Sequence, residues 1–535
     1  MIRLRRACHC AWAIAAVLIA VPGAAVARDD GAASRLIVAT RAEPNSIDPQ
    51  FSAVGTNQST AMHLFETLFT RDANLHLRPA LALGAEAVDA LTWRIDLRPG
   101  VRFHDGSAFD ADDVAFSLDR ARRVPFSPAS FAGRVARIAQ VRVIDPLTVE
   151  LVTKEPAPQL LTDIATIFML PSELGPDVAT SAFNEGAAAI GTGPWRLVRW
   201  AHGDRLELVR NEDYWGPRPE FERVTIRYIV SDAARVAALL SGSVDLIDAV
   251  PPADLDGLRR RADLALWQTP TVTFLYLGLD VSRDDNPSIR TPRGQQPRNP
   301  FKDARVRRAL ALSIDRPLLI AKVLSGSGVP ANQMMPQGTL GFDASIAPLG
   351  HDPAQARALL AEAGWPEGFE VTLAAPNNRY LNDALVAQAA GAMLARAGLK
   401  VHIDAMPRSV FLPRATRREF GLYLYGFGSV TGESLIGLRS VLGSVDPAKG
   451  SGTLNRGGYS NPDLDAALAN AAGARSDDVL DGYLHEAARL AAADMPIIPL
   501  YHQVATWASR SDVNFVPRRD ERTLAQDVTL QEKTR

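Results

Sequence analysis

The stretch from Val371 to Ala405 limits the fold more than any other part of this chain. Val371–Ala375 is a short run of apolar and small residues, the pattern of a buried strand. Leu381, Leu385, Ala389, Ala392, Met393 and Arg396 then recur at helical spacing. Gly398 follows, where a helix end favours a residue able to take positive φ. Lys400–Ala405 reads as a second strand. Strand, helix and strand in that order imply a parallel crossover, and hence an α/β sheet covered by helices.

The same grammar recurs along the chain. Leu36–Thr40 is a short strand that leads into a polar loop, Arg41 to Pro49. Thr92–Leu97 and Val101–Phe103 alternate on either side of Arg98-Pro99-Gly100, which predicts a hairpin. Asp110 caps a helix, with Asp113 at the N3 position and Val114, Leu118 and Ala121 on one face. Leu206–Val209 and Val224–Tyr228 flank a loop at Asn211–Pro219. A helix over Asp232 to Leu240 ends at Gly242, and Val244–Ile247 follows as a strand. Asp352 and Pro353 open another helix, which closes near Gly364. Thr271–Asp280 is a strand whose beginning marks a boundary between two lobes. Ser282–Asn299 is rich in Pro, Arg, Asn and Gln and reads as an exposed insertion loop.

With 535 residues the chain holds three to four domains' worth of material. Its formal net charge of −2 gives no electrostatic reason to expect nucleic acid or an anionic membrane as partner. Arg3, Arg5 and Arg6 precede an apolar run from Ala11 to Val21, and Ala25-Val26-Ala27 follows. This is the pattern of an export signal cleaved after Ala27. The run falls well short of the roughly 20 residues that a spanning helix needs, so the mature protein is expected to be soluble. Cys8 and Cys10, the two cysteines, both lie in this leader. Disulfides, thiol catalysis and cysteine-held metals are therefore not expected after cleavage.

Motifs for catalysis are missing. The nine histidines (His9, His63, His76, His104, His202, His351, His402, His485 and His502) show no metal-ligand spacing. The chain has no nucleophile elbow and no phosphate-binding loop. Gly191-Thr192-Gly193 falls short of a dinucleotide signal. The absence of motifs weakens an enzyme reading, and no catalytic residue, cofactor or metal is expected. A secreted hydrolase is the remote alternative, because paired carboxylates can stand far apart in sequence.

Six segments carry a resemblance. They are Phe103–Ser117 (FHDGSAFDADDVAFS), Gly191–Trp195 (GTGPW), Arg210–Gly216 (RNEDYWG), Leu240–Asp245 (LSGSVD), Pro300–Ala309 (PFKDARVRRA) and Tyr459–Asp465 (YSNPDLD). In this order they resemble the family 5 extracellular solute-binding proteins, the dipeptide, oligopeptide and nickel receptors of ABC importers. The resemblance implies a two-lobed periplasmic binding protein of type II, cluster C, with an extra inserted α/β domain. After the signal peptide at 1–27, lobe I would be discontinuous: 34–69, 190–268 and 504–535. The inserted domain would be 70–189 and lobe II 269–503. Two chain crossings, near 268/269 and 503/504, would form a hinge that closes on ligand.

Such a receptor would be a monomer in the periplasm. It would capture a peptide or peptide-sized solute and deliver it to a membrane permease, and through it to the ATPase subunits, with no nucleic-acid partner. Receptors for a metal chelate, an opine-like conjugate or an oligosaccharide are the alternatives. For a metal chelate, His63 and His402 are the histidines to consider.

The resemblance also implies where ligand sits. Glu43, Asn45 and Ser46 lie in the loop that resembles the family's ligand-facing loop of lobe I. Trp195 follows a turn near the hinge side of the cleft and either lines it or packs in the core. In peptide-binding relatives a lobe II loop carries an aspartate for the peptide ammonium. The matching stretch runs from Tyr423 to Ser434, with Phe427 at the usual tryptophan and Val430 at the aspartate. Valine cannot neutralise an ammonium. Glu433 is placed to substitute for it, or else to cap the next helix. Leu424 stands where oligopeptide binders can carry arginine. Tyr423, Tyr425 and Phe427 share one strand face, which either lines the cleft or packs inward. Gly428 and its neighbours leave room for ligand and present backbone N–H groups. Arg379, after Pro376-Asn377-Asn378, either binds a carboxylate or stands as a solvated loop arginine.

Overall fold

Two long strands hold the molecule together. The computed structural model describes residues 34–157, 159–428, 434–447, 450–474 and 476–531. Within it, Leu264–Leu279 spans 16 residues and Ile497–Arg510 spans 14. They pair antiparallel from Leu264↔Arg510 to Gly278↔Ile497. Both belong to one sheet, whose order is Ile289–Arg290, Glu370–Pro376, Leu422–Phe427, Leu264–Leu279, Ile497–Arg510, Leu246–Ile247, Arg35–Thr40, Arg223–Tyr228, Arg205–Arg210 and Trp195–Ala201. The strands before the long pair build one lobe and those after it build the other.

Each lobe has its own core. In one, Leu422 and Leu424 join a cluster with Leu275, Leu373 and Val386. Tyr423 and Tyr425 point the opposite way and join Phe274, Tyr276 and Phe411. Successive side chains of a strand face opposite ways, so a strand covered on both sides reads as continuously apolar. The other lobe packs Leu36, Val38, Trp195, Leu208 and Trp507 together. A third core belongs to a separate sheet in the order Ala82–Ala87, Thr92–Leu97, Thr148–Thr153 and Ile138–Asp145. The helix Ala111–Arg120 covers it, with Val114 and Leu118 wholly buried. Asp110 and Asp113 close a reciprocal capping box at its start. At its far end Arg120 donates to both oxygens of Asp48, at 3.0 and 2.7 Å. Both side chains are buried, and Thr180 adds a hydrogen bond to Asp48 at 2.8 Å. This pair locks the third core to the loop after Arg35–Thr40.

The crossover over 370–406 is present: Glu370–Pro376 pairs in parallel with Lys400–Met406 across the helix Asp383–Arg396. Its buried face differs from the sequence reading. Val386, Ala387, Ala390, Met393 and Leu394 are inside, while Leu385 is half exposed. Leu381 lies before the helix and does not set its phase.

Other expectations also shift. Thr92–Leu97 pairs with Ala82–Ala87 and Thr148–Thr153, not with Val101–Phe103. A tight turn at 103–107 takes the hairpin's place, bridged from Arg102 to Ala108, with Gly106 at φ 94°. Ser282–Asn299 is not wholly exposed: Asn286 and Ile289 are fully buried, and Ile289–Arg290 adds an edge strand beside Glu370–Pro376. Leu246–Ile247 is shorter than expected and lies beyond Arg35–Thr40, parallel to it. Among the described residues no helix is long and apolar enough to cross a membrane.

Candidate functional site

Beside the long strands a cavity of about 640 Å³ separates the lobes. One wall is Thr40–Ala42, Val54–Thr56, Tyr228 and Asp248–Ala253. The other lobe supplies Ser325, Ser327, Leu381 and Asn382. The floor is Gln503–Trp507 of the long strand, and Asp520–Thr523 of the C-terminal segment closes the side. A second space of about 520 Å³ adjoins it, lined by Thr273, Asn378–Leu381, Arg408, Gly426 and Gly428. Arg41, Leu381, Gln503 and Glu521 line both spaces, so the two form one cleft.

A break in the sheet makes room for it. Pro270 has no N–H to give the ladder, and the register of the long pair shifts between Pro270 and Phe274. The loosened residues turn to the C-terminal segment instead. Val272 N–H donates to Arg519 O at 3.4 Å, and Thr273 Oγ1 donates to Glu521 Oε1 at 3.2 Å. Glu521 takes φ 63°, a region an L-residue with a Cβ rarely enters. Its N–H is held by Arg518 O at 3.1 Å. Beside it, burial pushes the Asp520 carboxyl up, but Arg522 and Arg518 outweigh this and hold it below the usual range.

The wall from Asp248 to Ala253 is pinned by Arg235, a fully buried guanidinium. It donates to the carbonyls of Ile229 at 2.9 Å, Asp248 at 3.0 Å and Ala249 at 2.8 Å. Asp248 Oδ1 accepts from Arg41 N–H at 2.9 Å. Burial pushes this carboxyl up to about 6, against the pull of Arg235 and Arg41. On the facing lobe, Asp383 accepts from the N–H groups of Arg379 and Tyr380 at 2.8 and 3.1 Å. The Arg379 guanidinium lies over the rings of Tyr380 and Tyr425, 5.0 and 5.2 Å from their centroids. Arg408 N–H donates to Asn378 Oδ1 at 2.8 Å. Gly426 admits the Tyr380 ring, since a Cβ there would come within 2.8 Å of it.

Arg379 and Gly428 stand at the cleft as expected. Several other residues do not. Trp195 is fully buried in the lobe core. The Gly191-Thr192-Gly193 turn packs flat on the end of the helix Gly55–Leu64, where a Cβ on Gly193 would meet Leu64 C at 2.6 Å, and the next side chain is drawn inward. Tyr425 is buried in contact with Phe411 and Tyr276, and Phe427 packs on the same core. The shared face of Tyr423, Tyr425 and Phe427 therefore points inward, and Leu424 is buried on the other face. In the lobe I loop, Arg41 and Ala42 meet the cleft. Glu43 Oε1 instead accepts from Gly203 N–H at 2.9 Å and contacts His202 at 2.6 Å. Asn45 accepts from Asn57 at 2.7 Å, and the buried Ser46 donates to Asn184 at 2.8 Å. Val430 and Glu433 lie outside the described residues, as does the stretch expected to be an export signal ending at Ala27.

Arg41, Arg408, Gln503 and Glu521 also line the cleft and are not among the residues expected from sequence. Arg41 was visible as the first residue after a strand, where ligand contacts concentrate in open α/β sheets. Glu521 sits about 250 residues from its partner Thr273, and no local signal joins them.

Several titratable groups at the cleft are perturbed, His63, Tyr228, Asp248 and Asp520 among them. His63 Nδ1 donates to Ser59 O at 2.8 Å and Nε2 accepts from Ala525 N–H at 3.0 Å, and burial lowers it to about 4. Asp248 is engaged as described. His402 is exposed and contacts Glu370 at 3.4 Å, away from the cleft. Among the described residues no group of three or more His, Cys, Asp or Glu is placed to hold a metal ion. The arrangement suits capture between two lobes.

The model of the bacterial extracellular solute-binding proteins, family 5 Middle, matches residues 76–448. The chain belongs to this family. Family 5 proteins are the solute-binding components of ABC importers, binding proteins rather than enzymes, and they work outside the cytoplasmic membrane. The glutathione-binding protein GsiB of Pectobacterium atrosepticum is 30% identical over 475 residues, 86% of each chain. HbpA2 from Haemophilus parasuis superposes with a TM-score of 0.81 at 21% identity, covering 93% of this chain and 100% of that one. The periplasmic murein tripeptide binding protein MppA, in its unliganded open form, gives 0.79 at 21% identity, covering 93% and 97%. The two-lobed family 5 fold agrees with the sheet described above.

Proposed function

We propose that this family 5 protein captures a short peptide or peptide-like solute between its lobes and hands it, unaltered, to an ABC permease. The single observation that carries this reading is the set of guanidinium groups around the cleft: Arg41 on one lobe, Arg379 and Arg408 on the other. Arginine matches carboxylates in charge and in geometry, and every free peptide ends in one. The combined space suits a solute of a few residues. The names of GsiB and MppA, which bind glutathione and a murein tripeptide, point to the same class of ligand.

In this reading the chain is exported to the periplasm, cleaved after Ala27, and works as a monomer without cofactor. Lobe I comprises 34–69, 190–268 and 504–535, the inserted domain 70–189, and lobe II 269–503. The register shift after Pro270 gives the two crossing strands a place to bend as the lobes close. Native mass spectrometry of protein taken from its own periplasm tests the proposal. Co-purifying peptides, or a peptide-like thiol, are the expected result. A single opine-like conjugate or an oligosaccharide in their place would replace peptide by that solute, and a chemically transformed product would end the receptor reading.

A further inference from the structure

We infer that the cleft selects a ligand with one ammonium and two or more carboxylates, and that Glu521 receives the ammonium. This deepens the peptide reading above and rests on it.

Most charges at the cleft are already paired within the protein. Asp232 and Asp248 are committed to Arg235, at 2.6 and 3.5 Å. Asp520 is committed to Arg518 at 3.1 Å, and Arg522 to Asp520 and Gln58 at 3.5 and 2.9 Å. Among the described residues, four groups keep capacity for a ligand. Arg379 and Arg408 have no carboxylate partner among the described residues. Arg41 and Glu521 face each other as a loose ion pair at 3.8 Å, beyond hydrogen-bond range, and with 58% of the arginine side chain exposed it is weak enough for a ligand to engage either group.

Three cations and one anion are complemented by a solute carrying the reverse excess. A neutral dipeptide, with one charge of each sign, leaves two of the guanidinium groups unmatched. A peptide with an acidic side chain, or with a second carboxyl terminus, engages them by paired N–H donors.

Glu521 is the acceptor this arrangement leaves for the ammonium. One oxygen takes a single hydrogen bond from Thr273, while an ionised carboxylate has about four acceptor positions. Its backbone is held in the left-handed region by the N–H bond to Arg518 O, whose own guanidinium is anchored on Arg71 O and Asp72 O at 2.8 and 3.2 Å. The side chain is thereby directed into the seam shared by both halves of the cleft. Val430, at the position of the relatives' aspartate, has no charge to offer. In this assignment the ammonium sits on the C-terminal segment at Glu521 and the carboxylates sit across the cleft on Arg379 and Arg408.

Calorimetric titration of the full mature protein tests this with trialanine, Ala-Glu-Ala, glutathione and the N-acetyl forms of the last two. The expected result is that at least one acidic peptide binds tenfold or more tightly than trialanine. Acetylating it should weaken binding at least tenfold in the native protein and less than threefold in Glu521→Gln. Thr273→Val, which removes the hydroxyl that orients the carboxylate, should fall between them. If E521Q does not fold, this second variant carries the test. Equal affinity for trialanine and the acidic peptides overturns the charge assignment and leaves the peptide receptor standing. So does loss of the acetylation penalty in Glu433→Gln instead of Glu521→Gln, for the ammonium assignment. Failure of every peptide to bind overturns both the inference and the reading beneath it.

Discussion

At the scale of single residues, affinity and stability are assigned to different side chains. Arg379 is stacked on two rings and faces the cleft, so its guanidinium is preorganised for an anion. Arg379→Gln should raise the dissociation constant for the natural solute about tenfold or more, in line with losing a charge-assisted hydrogen bond. The melting temperature without ligand should be nearly unchanged, which a thermal scan checks. Trp195→Phe should do the reverse, lowering stability and leaving affinity intact, because the indole lies wholly in the core.

The buried histidine has a pH signature. Burial holds His63 near 4 against an ordinary value of 6.5, so the folded state takes up its proton less readily than the unfolded chain. Its contribution is complete above about 6.5 and is lost as pH falls toward 4. His104, lowered to about 4, and His502, lowered to about 3, act in the same sense, again through burial. Burial pushes Glu66 the other way, up to about 7, so its contribution is full below 4.5 and fades as pH rises through 7. Denaturant unfolding from pH 4 to 8 should therefore show stability falling at both ends. His63→Gln should flatten the acid limb by up to one proton.

Among the elements, the tight approaches and buried ion pairs matter most. The Gly191–Gly193 turn touches the backbone at the end of the helix Gly55–Leu64, and that helix's first turn lines the cleft. Gly193→Ala should cost about 1–3 kcal/mol through overpacking, measured by chemical denaturation. The Asp48–Arg120 pair joins two cores and is almost fully buried. Arg120→Ala leaves an uncompensated carboxylate inside and should cost about 3–5 kcal/mol. Where local pattern and packing agreed, these elements were readable in advance. The capping box at Asp110, the helix Asp232–Leu240 and the crossover over 370–406 all carry their signals within a few residues. Where the signal was periodicity alone, the phase was misread. Leu385 fits helical spacing as well as Val386 does, and only the position of the sheet beneath decides which is covered.

In the whole molecule, the proposed reading has the two long strands link capture to closure. Ligand bridging the lobes should stabilise the protein by mass action, by about 2.7 kcal/mol at a hundredfold excess over the dissociation constant. A rise in melting temperature with ligand concentration, together with a smaller radius of gyration in solution scattering, is the expected outcome. By itself the sequence determined the α/β class and the family, because each rests on residues adjacent in the chain or on a motif, and it named Arg379 and Gly428, which the structure places at the cleft. Only the tertiary structure decided that Trp195 and Tyr425 turn inward. It alone brings Arg41, Thr273, Arg379 and Glu521 to one cleft. Their meeting depends on how distant strands register against one another, and the pairing of Pro270 with Val504 has no local trace in either segment.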